Sequence, residues 1–164
     1  MNIIKATKNQ LIEIHKLSHK IWPIAYKDVI SKNQIEYMLD MMYSVASLEN
    51  QFDNNNVFLL VEENNNFVGY ASYEINIENT SNTKLHKLYI LPEIQGSGYG
   101  KSLINCIKEE AIKSENSSIF LNVNKKNNAK DFYLNYGFII AEEIVIPIGN
   151  DFVMDDYIME LKLK

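Results

Sequence analysis

Lys84 to Ala111 reads KLHKLYILPEIQGSGYGKSLINCIKEEA. The stretch opens as an alternating apolar strand through Leu85, Leu88, Tyr89 and Ile90. Pro92 stops the strand, because proline lacks the N–H that a ladder requires. Gly96, Gly98 and Gly100 follow at alternate positions, and Leu103, Ile104, Ile107 and Ala111 then recur at helical spacing. A strand, a glycine turn and a helix aim several backbone N–H groups and the positive end of a helix dipole at one point. That is an anion site, and its usual occupant is a phosphate or pyrophosphate. Without a ligand, the same glycines make only a turn. Two phosphate fingerprints fail here. A nucleoside-triphosphate loop requires a glycine where Gln95 stands, and the dinucleotide spacing G-x-G-x-x-G is replaced by G-x-G-x-G. The pattern present is Gln95-x-x-Gly98-x-Gly100.

Around this stretch lies a chain of 164 residues, enough for a single domain spanning 1–164 with a sizeable core. Its 46% hydrophobic and 23% charged content is that of a globular protein without a membrane-spanning run. The opening MNIIKATKNQ lacks the apolar core of a secretory signal, and the one cysteine, Cys106, cannot form an internal disulfide. A cytoplasmic protein is expected, with Cys106 as a small core residue on the helix after the glycines. Net charge is −5 and all basic residues are lysine, which argues against nucleic acid as a partner and suits a cationic substrate.

Residues 2–6 read as a first strand. Thr7 and Gln10 form a capping box for a helix from about 8 to 21, ended by Trp22-Pro23. His15 and His19 lie one turn apart on it, but no carboxylate or cysteine motif accompanies them, so they read as solvated and no metal is expected. Ser31 and Gln34 cap a second helix through about Val45, with Tyr37, Met38, Met41 and Met42 crowded on one side. Trp22 to Tyr26 between these helices is expected to line a pocket or cover a sheet edge. Residues 56–63 and 67–77 read as antiparallel strands turning at Asn64-Asn65-Asn66, with a bulge at Gly69. The strand at 84–91 follows, then one at 118–124. A short helix capped by Asn127 or Asn128 ends at Gly137, and a hairpin at 138–146 and 152–163 closes the chain. The fold class is α/β with a mixed, mostly antiparallel sheet flanked by helices.

A second segment, LNVNKKNNAKDFYLNYGF at 121–138, carries Asn127, Ala129, Phe132, Tyr133, Gly137 and Phe138. Gln95-x-x-Gly98-x-Gly100 resembles the pyrophosphate motif of the GCN5-related N-acetyltransferase (GNAT) family, and N-x-A-x-x-F-Y-x-x-x-G-F resembles its second signature. Both occur in family order, joined by a predicted helix and strand. The likeness covers residues 56–140, and the C-terminal IGNDFVMDDYIMEL resembles the closing hairpin of polyamine acetyltransferase-like members.

The resemblance implies acetyl-coenzyme A as cofactor, two central strands splayed at their C-terminal ends around it, and direct acetyl transfer to a neutral amine. It implies that the backbone of Leu88, Tyr89 and Ile90 pairs with the pantetheine arm, and that Gln95, Gly96, Ser97, Gly98, Tyr99, Gly100 and Lys101 hold the pyrophosphate. Asn127 would bond the pantetheine, with Ala129, Phe132 and Tyr133 beside the cofactor. Tyr133 takes the family position of the acid that protonates the thiolate. The base is open. His86 stands where several relatives place a glutamate, Glu74 on the neighbouring strand is a second candidate, and Asp155 and Asp156 are a third, as base or as anchors for a cationic acceptor. Trp22, Tyr26 and Tyr37 would line the acceptor pocket. The resemblance also allows a homodimer. Three readings follow: transfer to a small amine such as a polyamine, transfer to a peptide or protein N-terminus, and a non-catalytic acyl-coenzyme A sensor. A nucleotide-binding regulator would need a Mg²⁺-binding carboxylate at the turn, where only Glu93 stands near.

Overall fold

A computed structural model describes residues 1–164. In chain order it gives β1 (Asn2–Lys5), α1 (Leu11–Ala25), α2 (Lys32–Tyr43), α3 (Val45–Asp53), β2 (Val57–Glu63), β3 (Asn66–Glu74) and β4 (Asn82–Ile90). Then come α4 (Tyr99–Lys113), β5 (Ser118–Asn124), α5 (Ala129–Tyr136), β6 (Ile139–Gly149) and β7 (Phe152–Lys162). The strands form one seven-stranded sheet in the order β1-β2-β3-β4-β5-β7-β6. β4 pairs β5 in parallel over Asn82–Lys84, while β1 with β2, β2 with β3, β5 with β7 and β6 with β7 are antiparallel. The mixed, mostly antiparallel sheet agrees with the sequence. None of the helices is long and apolar enough to cross a membrane.

The chain packs as two compact units, Met1–Glu74 with His86–Ile107, and Ile75–Leu85 with Lys108–Lys164. In the first, α1 buries Leu11, Ile14, Leu17 and Ile21 at helical spacing and packs against β3, while β2 buries the apolar run Phe58-Leu59-Leu60-Val61. Gln10 accepts the Thr7 backbone N–H at 2.9 Å, so the expected capping residues do meet, on a short 3₁₀ turn at Lys8–Gln10. In the second unit, Ile119, Leu121 and Val123 of β5, Phe138, and Met159 of β7 across from Leu121 are all buried.

Four expectations need correction. α1 does not stop at Trp22 but runs through Pro23 to Ala25, with the Tyr26 N–H on the Trp22 carbonyl at 3.0 Å. Trp22 and Tyr26 are buried with ring centroids 4.4 Å apart, and that packing outweighs the loss of one helical bond at proline. The segment 22–26 therefore belongs to an aromatic core. The second helix ends at Tyr43, because Ser44 adopts an extended conformation and caps a new helix, α3, by accepting the Ser47 N–H at 3.2 Å. The register irregularity lies at Val68, between the pairs Val61–Gly69 and Glu62–Phe67, rather than at Gly69 itself. Gly69 serves close approach instead. A Cβ there would stand 2.5 Å from Ile90 Cδ1 and 2.9 Å from the Tyr89 carbonyl oxygen. Fourth, His15 is half-buried rather than solvated, with Nδ1 2.6 Å from the Tyr43 carbonyl; His19 is exposed as expected, its ring tilted against that of His15 at 4.2 Å and its Nδ1 2.8 Å from the His15 carbonyl. No group of three or more metal-ligating side chains forms. Cys106 is half-buried.

Candidate active site

In the first unit, β4 delivers the chain to the glycine turn. Pro92 opens a 3₁₀ turn at Pro92–Ile94, and the Gln95 side chain folds back to donate to the Ile90 carbonyl at 3.2 Å. Gly96 and Gly98 have φ of +85° and +86°, a region that side chains disfavour, and no atom lies within 4 Å of a Cβ built at either. The first α4 bond runs from the Ser102 N–H to the Gly98 carbonyl at 3.0 Å, so the amides of Tyr99, Gly100 and Lys101 precede the helical ladder. Open glycines beside unused helix amides make a cradle that fits a pyrophosphate. Tyr99 is buried and donates to Glu63, which anchors the start of α4 to the end of β2. That bond is the first cause of the Tyr99 phenol's raised pKa.

The two leading base candidates come together. His86 Nε2 lies 3.1 Å from Glu74 Oε2, with side chains 22% and 19% exposed. An Nε2–H at this distance donates to the Glu74 carboxylate. The next residue, Lys87, goes elsewhere. It is buried, donates to Gln51 Oε1 at 2.7 Å and lies 5.3 Å from the Tyr43 ring centroid. Leu88 and Tyr89 are half-buried and Ile90 is buried. The Tyr89 hydroxyl is 2.8 Å from that of Tyr26, and the Tyr89 ring packs with those of Trp22 and Tyr70. Tyr43 completes the cluster against Trp22 and Tyr70. Burial pushes the Tyr43 and Tyr70 phenols well up, so both are neutral. Tyr37, on α2, is half-buried. Sequence reasoning missed Tyr43, Tyr70 and Gln51. Nothing in their local sequence marks them, and only three-dimensional packing gathers them.

In the second unit, β5 delivers the chain to the other signature. Asn127 Oδ1 accepts the Ala129 N–H at 2.9 Å in the turn before α5, whose N-cap position is held by Asn128 without a side-chain bond. Phe132 and Tyr133 follow on α5; Tyr133 is buried, its ring 5.3 Å from Phe132 and 5.5 Å from Phe138. Gly137, at φ +126°, ends the helix. On β7, Asp155 is exposed and bonded to Lys125 at 3.0 Å, whereas Asp156 is buried.

β4 runs into the open glycine turn, and β5, its parallel partner over Asn82–Lys84, runs into the asparagine turn before α5. The family model of the acetyltransferase (GNAT) domain matches residues 26–154. An N-acetyltransferase of Mycobacterium tuberculosis is 27% identical over 148 residues, 87% of this chain and 94% of that protein. Among solved structures, the PaiA N-acetyltransferase of Thermoplasma acidophilum, in complex with coenzyme A, superposes with a TM-score of 0.83 at 23% identity, covering 99% of this chain and 98% of that one. The ribosomal-protein-S18-alanine N-acetyltransferase of Escherichia coli gives a TM-score of 0.73 at 16% identity, covering 98% and 92%. The chain belongs to the GNAT acetyltransferase family. It is an acetyl-coenzyme A-dependent N-acetyltransferase.

Proposed function

We propose that this chain acts as one catalytic domain that moves the acetyl group directly onto a primary amine, with no covalent enzyme intermediate, and that the amine is small and cationic. Acetyl-coenzyme A supplies the acetyl group as an activated thioester. The amides of Tyr99, Gly100 and Lys101, with Gly96, Ser97 and Gly98, hold the pyrophosphate, and the Gln95–Ile90 bond keeps the turn in shape. Backbone groups of Leu88, Tyr89 and Ile90 pair with the pantetheine as an added strand. Asn127 contributes the amide of the second signature, beside Ala129 and Phe132.

His86 takes a proton from the incoming ammonium at Nδ1, while Glu74 holds Nε2–H and supports the imidazolium that forms. The observation that carries this reading is the 3.1 Å His86–Glu74 contact on the strand leading into the glycine turn. It is an oriented base in the sense of other carboxylate–histidine pairs. Tyr133 would supply the proton that the leaving thiolate of the cofactor needs. Net charge of −5, with Glu74 and Asp156 partly or fully buried, favours a cationic acceptor. Trp22, Tyr26 and Tyr37 supply aromatic surface for its carbon chain.

A peptide amine is the second reading, favoured by the likeness to the Escherichia coli enzyme whose name specifies a ribosomal-protein alanine. The test is thiol release from acetyl-coenzyme A against spermidine, spermine, aminoglycosides, free amino acids and short peptides. Turnover with polyamines and not peptides is expected. Turnover with peptides alone would replace the first reading by the second. Silence throughout, with clear thermal stabilisation by coenzyme A, would point to the sensor.

A further inference from the structure

Outside the tyrosines, two ionisable side chains lie buried, Lys87 and Asp156, 8% and 3% exposed. Lys87 is accounted for by Gln51 and the Tyr43 ring. Asp156 is not accounted for by an ion pair. It stands on β7 across from Asn124 on β5 and Ile144 on β6. Of the two lysines that act on it, Lys125 is taken up by Asp155 at 3.0 Å and Glu143 at 3.5 Å, and Lys84 lies over the Phe120 ring at 5.9 Å. Burial holds the Asp156 carboxyl above the usual carboxylate range; the Asn122 amide pulls it back, Asp155 pushes it up, and Lys84 and Lys125 pull it down from a distance.

A buried carboxyl without an ion pair weakens the folded chain near neutral pH, and such groups persist where they do chemistry. Its place agrees. Asn124, directly across the ladder, accepts the Asn127 backbone N–H at 2.9 Å and the Lys126 N–H at 2.9 Å on its side chain. Asp156 therefore lies beside the C-terminal end of β5, at the base of the turn that carries Asn127.

We propose that Asp156, and not its neighbour Asp155, binds the ammonium group of the amine acceptor. The inference rests on the amine-transfer reading above. An ionised carboxylate accepts several hydrogen bonds, and an ammonium offers three donors to match. Asp155 is exposed and already neutralised by Lys125.

Asp156→Asn keeps the shape of the side chain and removes its charge. Because the folded-state pKa is raised, the carboxyl favours folding only while protonated, and that contribution is lost as pH rises through the folded value. Asp156→Asn is therefore expected to melt higher than wild type on the alkaline side, with the difference closing at acid pH. Its KM for the amine should rise about tenfold or more, the loss of one charge-assisted hydrogen bond, with stabilisation by coenzyme A unchanged. Asp155→Asn should leave the amine KM within about twofold, as for an exposed ion pair. An unchanged amine KM in Asp156→Asn overturns the inference, whatever its melting temperature. Should that variant fail to fold, wild type suffices: acidification must raise the amine KM before coenzyme A affinity changes, and a flat KM overturns the inference. A wild-type enzyme silent with every amine, yet stabilised by coenzyme A, overturns the amine-transfer reading and this inference with it. A working wild type with an indifferent Asp156→Asn overturns this inference alone.

Discussion

Replacing Gly98 by alanine adds one carbon at the point where the pyrophosphate is proposed to lie. Two costs can be separated. The backbone cost comes from φ of +86°, where a Cβ costs roughly 1–2 kcal/mol. No atom lies within 4 Å of the new carbon, so no steric term adds to it. At this chain length about 1 kcal/mol lowers Tm by roughly 2–4 °C, so the variant should melt about 2–8 °C lower. The ligand cost is larger. Displacing a phosphate from one charge-assisted amide bond costs about 1.5–3 kcal/mol, which is roughly ten- to a hundred-fold in affinity. Calorimetric titration with coenzyme A and with pantetheine, which lacks the pyrophosphate, reads the two costs apart. Gly98→Ala should lose coenzyme A affinity by that factor and hold pantetheine as wild type does. Equal loss for both ligands, or no loss for either, would refute the assignment of this turn to the pyrophosphate.

His86→Gln should lower kcat by about 10²–10⁴, the range for a general base, and Glu74→Gln should lower it less while shifting the acid limb of the pH–rate profile; a profile unmoved by either variant would remove the pair from proton transfer. Tyr133→Phe should reduce turnover with coenzyme A affinity intact, checked by thiol release alongside calorimetry, and full turnover would take Tyr133 out of the acid role. Gly69→Ala should destabilise by about 1–3 kcal/mol in denaturant unfolding, since its Cβ would meet Ile90 Cδ1 at 2.5 Å and backbone at 2.9 Å.

The glycine turn, the strand before it and the helix after it were all legible in the sequence, because glycine spacing, proline and helical periodicity each act locally. The closing hairpin and the asparagine turn before α5 were legible for the same reason. Helix α3 was not, since its polar run Ser47 to Asp53 shows little periodicity and buries only Leu48. Nor was the helix through Pro23, where burial of Trp22 and Tyr26 outweighs a local rule. His86 and Glu74 were legible as separate candidates, but their pairing depends on how β3 and β4 align, which neither strand specifies alone. Asp155 and Asp156 look equivalent in sequence. Strand alternation sends one to solvent and Lys125 and the other into the interior, and which is which follows from the β5–β7 register.

Trp22 is the only indole in the chain, and it is buried among Tyr26, Tyr43 and Tyr89. The Tyr89 hydroxyl bonds Tyr26 on the strand proposed to receive the pantetheine. The protein thus carries its own fluorophore one ring away from that strand. Its emission should be blue-shifted, fed by energy transfer from the neighbouring phenols, and free of any second indole. A titration of unlabelled enzyme with cofactor can therefore be followed optically, in real time, from a probe that needs no engineering.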